Sequence, residues 1–206
     1  MKIIRLEVGP LGANCYIVYC VKTLQGVVID PGGNGKEIIE ILQRENIKLA
    51  CIINTHGHAD HIAANDQIKA ATGAPIFIHG DDAKMLTSAQ GNLSSYIGNH
   101  LICQPADRLL SDGEKIMVGE IEFQVIHTPG HTLGGICLKA KDVLFSGDTL
   151  FAQSIGRSDF PGGSHNQLIH SIKNKLLVLD DQTTVLPGHG EATTIGDERF
   201  TNPFIQ

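Results

Sequence analysis

Apolar positions near the start of the chain fall into short runs. Residues 3–8, 15–20 and 26–30 are such runs, separated by turns containing Gly, Pro and Asn, which is the pattern of strands. The period then changes. After the turn-forming stretch Pro31-Gly32-Gly33-Asn34-Gly35, the residues Ile38, Ile39, Ile41 and Leu42 recur at helical spacing and predict a helix over 36–45. Residues 49–54 form a continuous apolar run, suited to a strand buried on both faces. A second helix is expected over 62–72, closed by Gly73, and a short strand over 75–79. The stretch 81–100 reads as mostly helical, with an interruption at Gly91-Asn92.

From Asp107 onward the same grammar returns. Strands are expected at 114–118, 121–127, 135–139 and 143–146, and a last one at 183–186. A helix over 166–177 carries Leu168, Ile169, Ile172 and Leu176 on one face. Strands followed by strand–helix units, given twice, imply two sheets packed face to face with helices outside. One domain over 1–206 is expected, in two similar halves of about 1–105 and 106–206, and this length can bury a real core.

Composition narrows the function. The net charge of −6 argues against a binder of nucleic-acid backbones, which would carry a basic face. Residues 1–10 lack the apolar core and small-residue cleavage site of a secretory signal and read as an opening strand. No apolar run is long enough to span a membrane, so a soluble cytoplasmic protein is expected. Cys15, Cys20, Cys51, Cys103 and Cys137 are odd in number and contain no CxxC pair, which favours buried free thiols in a reducing compartment.

The chemistry concentrates in Thr55-His56-Gly57-His58-Ala59-Asp60-His61. This run sits between an apolar strand and a helix. Its small residues Gly57 and Ala59 let the backbone curl and aim several side chains at one point. Imidazoles and carboxylates are the preferred ligands of borderline divalent metals. Three further islands repeat the device of a strand end, a glycine and a ligand-type residue. They are His127-Thr128-Pro129-Gly130-His131, Phe145-Ser146-Gly147-Asp148 and Leu186-Pro187-Gly188-His189. One such residue alone is usually structural, but four at the rim of one sandwich imply convergence on one site.

The HxHxDH run, with His131, Asp148 and His189 in that order, resembles the metal-binding motifs of the metallo-β-lactamase superfamily. Within it the chain is most similar to short glyoxalase II-like (hydroxyacylglutathione hydrolase-like) enzymes. The stretch Gly156-Arg157-Ser158-Asp159-Phe160-Pro161-Gly162-Gly163-Ser164 and the tail from Gly188 through Arg199, followed by Thr201-Asn202-Pro203-Phe204, carry that closer likeness. The resemblance implies an α+β fold, a four-layer αβ/βα sandwich of two mixed sheets with outer helices. It assigns His56, His58 and His131 to one metal and Asp60, His61 and His189 to a second, with Asp148 bridging. Zinc is the leading choice for two divalent ions. Asp at 148, where the lactamases proper usually have Cys, makes the site harder and lets iron or manganese compete.

The implied reaction is hydrolysis of a small-molecule thioester such as S-lactoylglutathione, with Asp60 also orienting the attacking water. A thiolate leaves without a strong acid, since its pKa is near about 8.5. Asp30 matches the first superfamily motif, which implies an acceptor for a ligand imidazole N–H; a turn-former before Pro-Gly is the alternative. Arg157 and Asp159 either order the site, meet an anionic substrate, or simply pair with each other. Tyr96 is a candidate pocket wall. His79 and His127 are read as structural, and His100, His165 and His170 as surface or capping residues. Full-length glyoxalase II enzymes add a C-terminal helical region with basic residues for glutathione; none follows here before Gln206, so the expected thiol carrier stays open. Alternatives are a mononuclear iron persulfide dioxygenase, suggested by Gly156-Arg157-Ser158-Asp159, a lactonase or phosphodiesterase, and a nuclease, which the acidic balance disfavours.

Overall fold

The computed structural model describes residues 1–205, apart from the side chain of Ile97. The first sheet contains β1 (Lys2–Val8), β2 (Ala13–Tyr19), β3 (Gln25–Ile29), β4 (Lys48–Ile53), β5 (Ile76–His79) and β6 (Arg108–Leu110), adjacent in that order. The first three strands pair antiparallel, and β3 through β6 pair parallel. The second sheet opens with β7 (Lys115–Val118), β8 (Ile121–His127), β9 (Ile136–Ala140) and β10 (Val143–Gly147). A two-stranded ribbon, β11 (Leu150–Phe151) and β12 (Ser154–Ile155), follows, and then β13 (Thr184–Pro187) and β14 (Thr193–Thr194). Its spatial order is β14-β13-β10-β9-β8-β7, with β10 and β13 parallel and the rest antiparallel.

Strand alternation sorts the core into layers. Tyr16 and Val18 on β2, and Cys20 just after it, point into the space between the sheets, where they join Val27, Ile53, Phe123, Leu138 and Phe145. Their neighbours Cys15, Ile17 and Tyr19 face outward onto α1 (Gly35–Arg44), a two-turn-broken pair α2 (Ala59–Ile62) and α3 (Asn65–Thr72), through Ile38, Ile41, Ile62 and Ile68. Across the molecule, Cys137, Leu144 and Val185 face α4 (His165–Ser171) and α5 (Ile195–Thr201). The layers therefore run helix, sheet, sheet, helix, as expected. All five cysteines are buried and unpaired. No helix among the described residues is long and apolar enough to cross a membrane.

Several local expectations change. Residues 81–100 hold two short 3-10 turns, Gly80–Met85 and Ser94–Ile97, rather than a helix. The reason is that side chains there bond outside the segment or back onto its own backbone. Asp82 turns to other loops, Asn92 donates to the Leu101 carbonyl and accepts from the Ser94 amide, and Leu93 adopts a left-handed φ of 67°. This competition is what disfavours Asn, Asp and Ser inside helices. The expected helix over 62–72 is broken at Ala63–Ala64, and that over 166–177 passes from α into one π-type segment, Ile172–Leu176. The strands β6, β11, β12 and β14 and the helix α5 were not expected from the sequence.

The carboxyl ends of β3, β4 and β5 lie on one edge of the first sheet, because these strands are parallel. On the second sheet, β8, β10 and β13 also run in one direction. The two rims are stitched together: Asn14 N donates to Gly188 O at 2.7 Å, and Ile136 N to Thr55 O at 2.9 Å. Ligands commonly bind outside the carboxyl ends of parallel strands.

Candidate metal centre

The turn after β4 is closed from within. Asn54 Nδ2 donates to His61 O at 3.1 Å and to Asn65 Oδ1 at 3.2 Å, so the ends of the His56–His61 stretch are tied together. Ala59 N donates to Asn92 O at 2.9 Å, which lays the irregular 81–100 segment along the same turn. His56, His58 and His61 are all buried.

Two groups of side chains converge. His56, His58 and His131 form one, and Asp60, His61 and His189 form the other; in each, one atom from every residue lies within 4.8 Å of the rest. Asp148 lies between them. Its Oδ1 is 3.4 Å from His61 Nε2, while its Oδ2 is 3.6 Å from His131 Nε2 and 3.7 Å from His189 Nε2. Asp60 Oδ2 lies 3.2 Å from His189 Nε2 and 3.7 Å from His61 Nε2. The structure thus brings together all seven residues that the sequence proposed as ligands.

Hydrogen bonds fix which ring nitrogen faces the centre. Thr55 Oγ1 donates to Asp30 Oδ2 at 2.6 Å, so it is free to accept from His56 Nδ1 at 3.2 Å. His61 Nδ1 donates to the same Asp30 oxygen at 3.0 Å, and His131 Nδ1 to the Arg157 carbonyl at 2.6 Å. Each of these rings then turns Nε2 inward, the arrangement by which outer partners orient metal-binding imidazoles. Asp30 has φ 51°, and its other oxygen takes the Thr55 amide at 2.7 Å. Asp30 thus fixes the Thr55 turn and the His61 ring, and it also lies within reach of His56 and His61 as a ligand could.

The buried atoms His56 Nε2, His61 Nε2 and Asp148 Oδ1 have no hydrogen-bond partner. Buried polar atoms are rarely left unpaired, and these converge between the two groups with a donor set of imidazole and carboxylate. The residues present therefore fit a dinuclear metal site. Electrostatics agree. Burial, reinforced by the neighbouring imidazoles, pushes His56 well down, and burial with His131 brings His58 down to about 3, so both rings are neutral, as a metal would need them. Around His61 the balance reverses. Burial opposes its charge, but Asp148, Asp30 and Asp60 outweigh it and raise His61 to about 10. Burial also raises Asp60, yet His61 and His189 together hold its carboxyl below the usual range. Its hydrogen bond to Asp60 raises His189. Three carboxylates about one imidazole make a place that calls for positive charge.

Two sets of supports were not legible. Asp82, buried, accepts from Gly57 N at 3.1 Å, Thr132 Oγ1 at 2.7 Å and Gly134 N at 2.7 Å, and so clamps the turns that carry His56, His58 and His131. On the other side, Asn14 Nδ2 donates to Pro187 O and Gly190 O, both at 2.9 Å, and Tyr16 OH to Pro187 O at 2.7 Å, holding the His189 turn. Asp82 repeats the strand-end pattern after β5, a signal masked by reading 81–100 as helix. Nothing in the spelling of Asn14 and Tyr16 pointed to the far sheet.

The remaining candidates are placed as follows. Arg157 and Asp159 form a bidentate ion pair at 3.0 and 2.8 Å, both exposed, and the guanidinium lies 4.2 Å from the Phe160 ring centre. Tyr96, also exposed, lines the cavity above the centre. His79 and His127 stack on each other, with ring centres 4.0 Å apart and planes 11° from parallel. With Asp81 they come near one another as ligands could. Lone pairs of parallel rings do not converge, however, and His127 Nε2 is given to Leu133 O at 2.9 Å. That cluster is a structural stack.

A sequence profile of the Metallo-beta-lactamase superfamily matches residues 8–189. The chain belongs to that superfamily, and its fold is the metallo-β-lactamase fold. Among its relatives is the hydroxyacylglutathione hydrolase GloC of Haemophilus influenzae, 35% identical over 98% of both chains. Among solved structures, the BLEG-1 B3 metallo-beta-lactamase superposes with a TM-score of 0.94 at 38% identity, covering 99% of each chain. The di-iron-bound form of TTHA1623 gives 0.87 at 34%, over 98% of this chain and 99% of its own. ETHE1 from Myxococcus xanthus gives 0.81 at 29%, over 98% of this chain and 84% of its own.

Proposed function

We propose that this chain is a dinuclear metallo-hydrolase acting on acyl-thiols, a thioesterase of glyoxalase II type. The observation that carries the reading is the Asp148 carboxylate set between two ligand groups at the floor of a cavity of about 640 Å³. Two divalent cations held there would lower the pKa of a water and polarise a carbonyl. The side chains supply the rest. Asp60, kept ionised by His61 and His189, holds an acceptor oxygen at the floor and orients the attacking water. Apart from the proposed ligands, Tyr96 and Arg157 are the titratable groups among the described residues lining the cavity. A reaction whose leaving group departs as a thiolate, with a pKa near about 8.5, needs no further acid. The likeness to the Haemophilus hydrolase supports the same class.

The test is a substrate panel on protein with a counted metal content. Acyl-thiols, a β-lactam and a persulfide are compared. Two metals per chain with turnover of acyl-thiols well above the β-lactam is the expected result. No turnover of any acyl-thiol with two metals bound refutes the reading. The stretch Gly156-Arg157-Ser158-Asp159 and the likeness to ETHE1 favour a second reading, a mononuclear iron persulfide dioxygenase. One iron per chain and oxygen consumption with the persulfide would establish it instead.

A further inference from the structure

The walls above the centre come from four separate segments. Leu11 stands on the β1–β2 turn, Leu93 and Tyr96 on the 81–100 segment, Phe151 on the ribbon, and Phe160 and Pro161 on the loop after it. Leu11 and Tyr96 are 57% and 67% exposed, a large apolar surface left at the mouth of a cavity. Leu93 is held in the left-handed region at φ 67°, where a bulky residue is strained. Strain of this kind is kept where a side chain is needed in a given place.

Charge is nearly absent from the same walls. The chain has 16 Lys and Arg, yet Arg157 is the one such residue among the described residues lining the cavity. Its Nε and Nη2 are already given to Asp159, and its face is laid on Phe160. A carboxylate bound to it would sit beside Asp159. The adjoining cavity of about 380 Å³, which shares Tyr96 and Pro161, has no Lys or Arg among its described lining residues and adds Asp81 and Asp82. A substrate tail leaving the centre meets apolar side chains with the paired Arg157 in one direction, and neutral polar and acidic side chains in the other.

On the reading that the site cleaves acyl-thiols, we propose that it selects thioesters whose non-reacting arm is uncharged and apolar, an alkyl or aryl thiol, over those of a charged peptide thiol such as glutathione, which carries two carboxylates and an ammonium. Placing charged carboxylates against these walls strips their water with only Arg157, already paired with Asp159, to meet them, whereas a hydrocarbon arm covers Leu93, Tyr96 and Phe160 at no such cost.

The experiment uses the full chain with two metals per molecule and two esters of one acyl group: lactoyl-glutathione and the lactoyl ester of benzyl mercaptan. The expected kcat/KM favours the neutral ester by at least about tenfold, the scale on which apolar pockets discriminate. Tyr96→Ser and Leu93→Ser each move the ratio toward parity by raising KM for the neutral ester, with metal content unchanged; Tyr96 is exposed, so its variant keeps the test sound where Leu93→Ser fails to fold. Calorimetry with the matching non-hydrolysable thioethers reads the pocket without turnover and should rank them the same way. Parity, or preference for the glutathione compound in both measurements, overturns the proposal. Absence of turnover with either ester, alongside tighter binding of the benzyl thioether, refutes the thioesterase reading and leaves the apolar selectivity standing.

Discussion

Asp82 Oδ2 lies 3.1 Å from the backbone nitrogen of Gly57, the one residue between His56 and His58. The same carboxylate takes Thr132 Oγ1 and Gly134 N, next along the chain from His131. Among the described residues, its hydrogen bonds thus reach chain neighbours of every member of one group and of none in the other. Asp30 is its counterpart, bonded directly to His61 and through Thr55 to His56.

Asp82→Asn turns one acceptor oxygen into a donor that faces other donors. The change should weaken one metal per chain and spare the second. Outer supports of metal ligands typically contribute about 10–100-fold in affinity. Competition with a chelator, with metals counted at each step, should show one site weakened by that factor and one near the parent value. Equal weakening of both sites would place Asp82 among general fold supports instead.

Glycines beside the ligands make a second prediction. A methyl group on Gly188 would collide with Asp148 Oδ1 and lie 2.8 Å from His61 Cε1. Gly32 carries no positive φ, yet a methyl there would collide with the Asp60 carbonyl. Both positions are glycine because ligand-bearing backbone passes too close for a Cβ. Gly188→Ala should displace Asp148, whose carboxylate lies between the two groups, so both metals should be lost or weakened together. Metal content after dialysis against a fixed chelator reads this directly. A variant that keeps two tightly held metals contradicts it.

These contrasts explain what could be read from the chain. The ligands were legible because each follows an apolar strand end and a small residue, a local pattern. The layers were legible from period-2 runs such as Ile121, Phe123 and Val125, whose alternate neighbours Glu122 and Gln124 are exposed. The partners of the ligands were not, because they are long-range: Asn14 is separated by 173 positions from Pro187, and Asp82 by 52 from Gly134. The 81–100 stretch failed for the opposite reason. Its apolar spacing suits a helix, but Ser88 and Asn92 take nearby backbone amides, and the bonds that Asp82 and the Asn92 carbonyl accept from other segments hold the chain in turns.

Acid stability supplies a third prediction, at a site remote from the centre. Asp107 accepts from Lys69 Nζ at 2.7 Å with both oxygens and from Ile76 N at 2.7 Å, tying α3 to the start of β5. The Lys69 hydrogen bond, then that of Ile76, holds its carboxyl below the usual range. A carboxyl lowered in the folded state stabilises the fold above its unfolded pKa, near about 3.9, and that contribution is lost as pH falls through the folded value. The pair is part exposed, so solvent screening limits its worth; Asp107→Ala should cost about 1 kcal/mol at neutral pH. Urea unfolding of parent and variant should show this gap at pH 7 and its closure below about pH 4. A gap independent of pH would show that the carboxylate charge has no part in it.

Removing metal should destabilise the protein in a way the centre's own charges dictate. Without cations, Asp30, Asp60 and Asp148 crowd one another around His61, and the inward-facing nitrogens of His56 and His61 are buried without hydrogen bonds. Ions that bind only the folded chain stabilise it by mass action, about 2.7 kcal/mol per site at a hundred times the dissociation constant. For a chain of this length, 1 kcal/mol moves Tm by roughly 2–4 °C. Chelation should therefore lower Tm by roughly 5–11 °C for each site emptied from that level of saturation, and adding metal back should restore it. His56→Ala takes one ligand from one group, so it should abolish about half of the metal-dependent rise and leave one metal per chain. Thermal melts across a metal titration separate these outcomes. A Tm that ignores metal in the parent protein would mean that the seven converging side chains are satisfied without it.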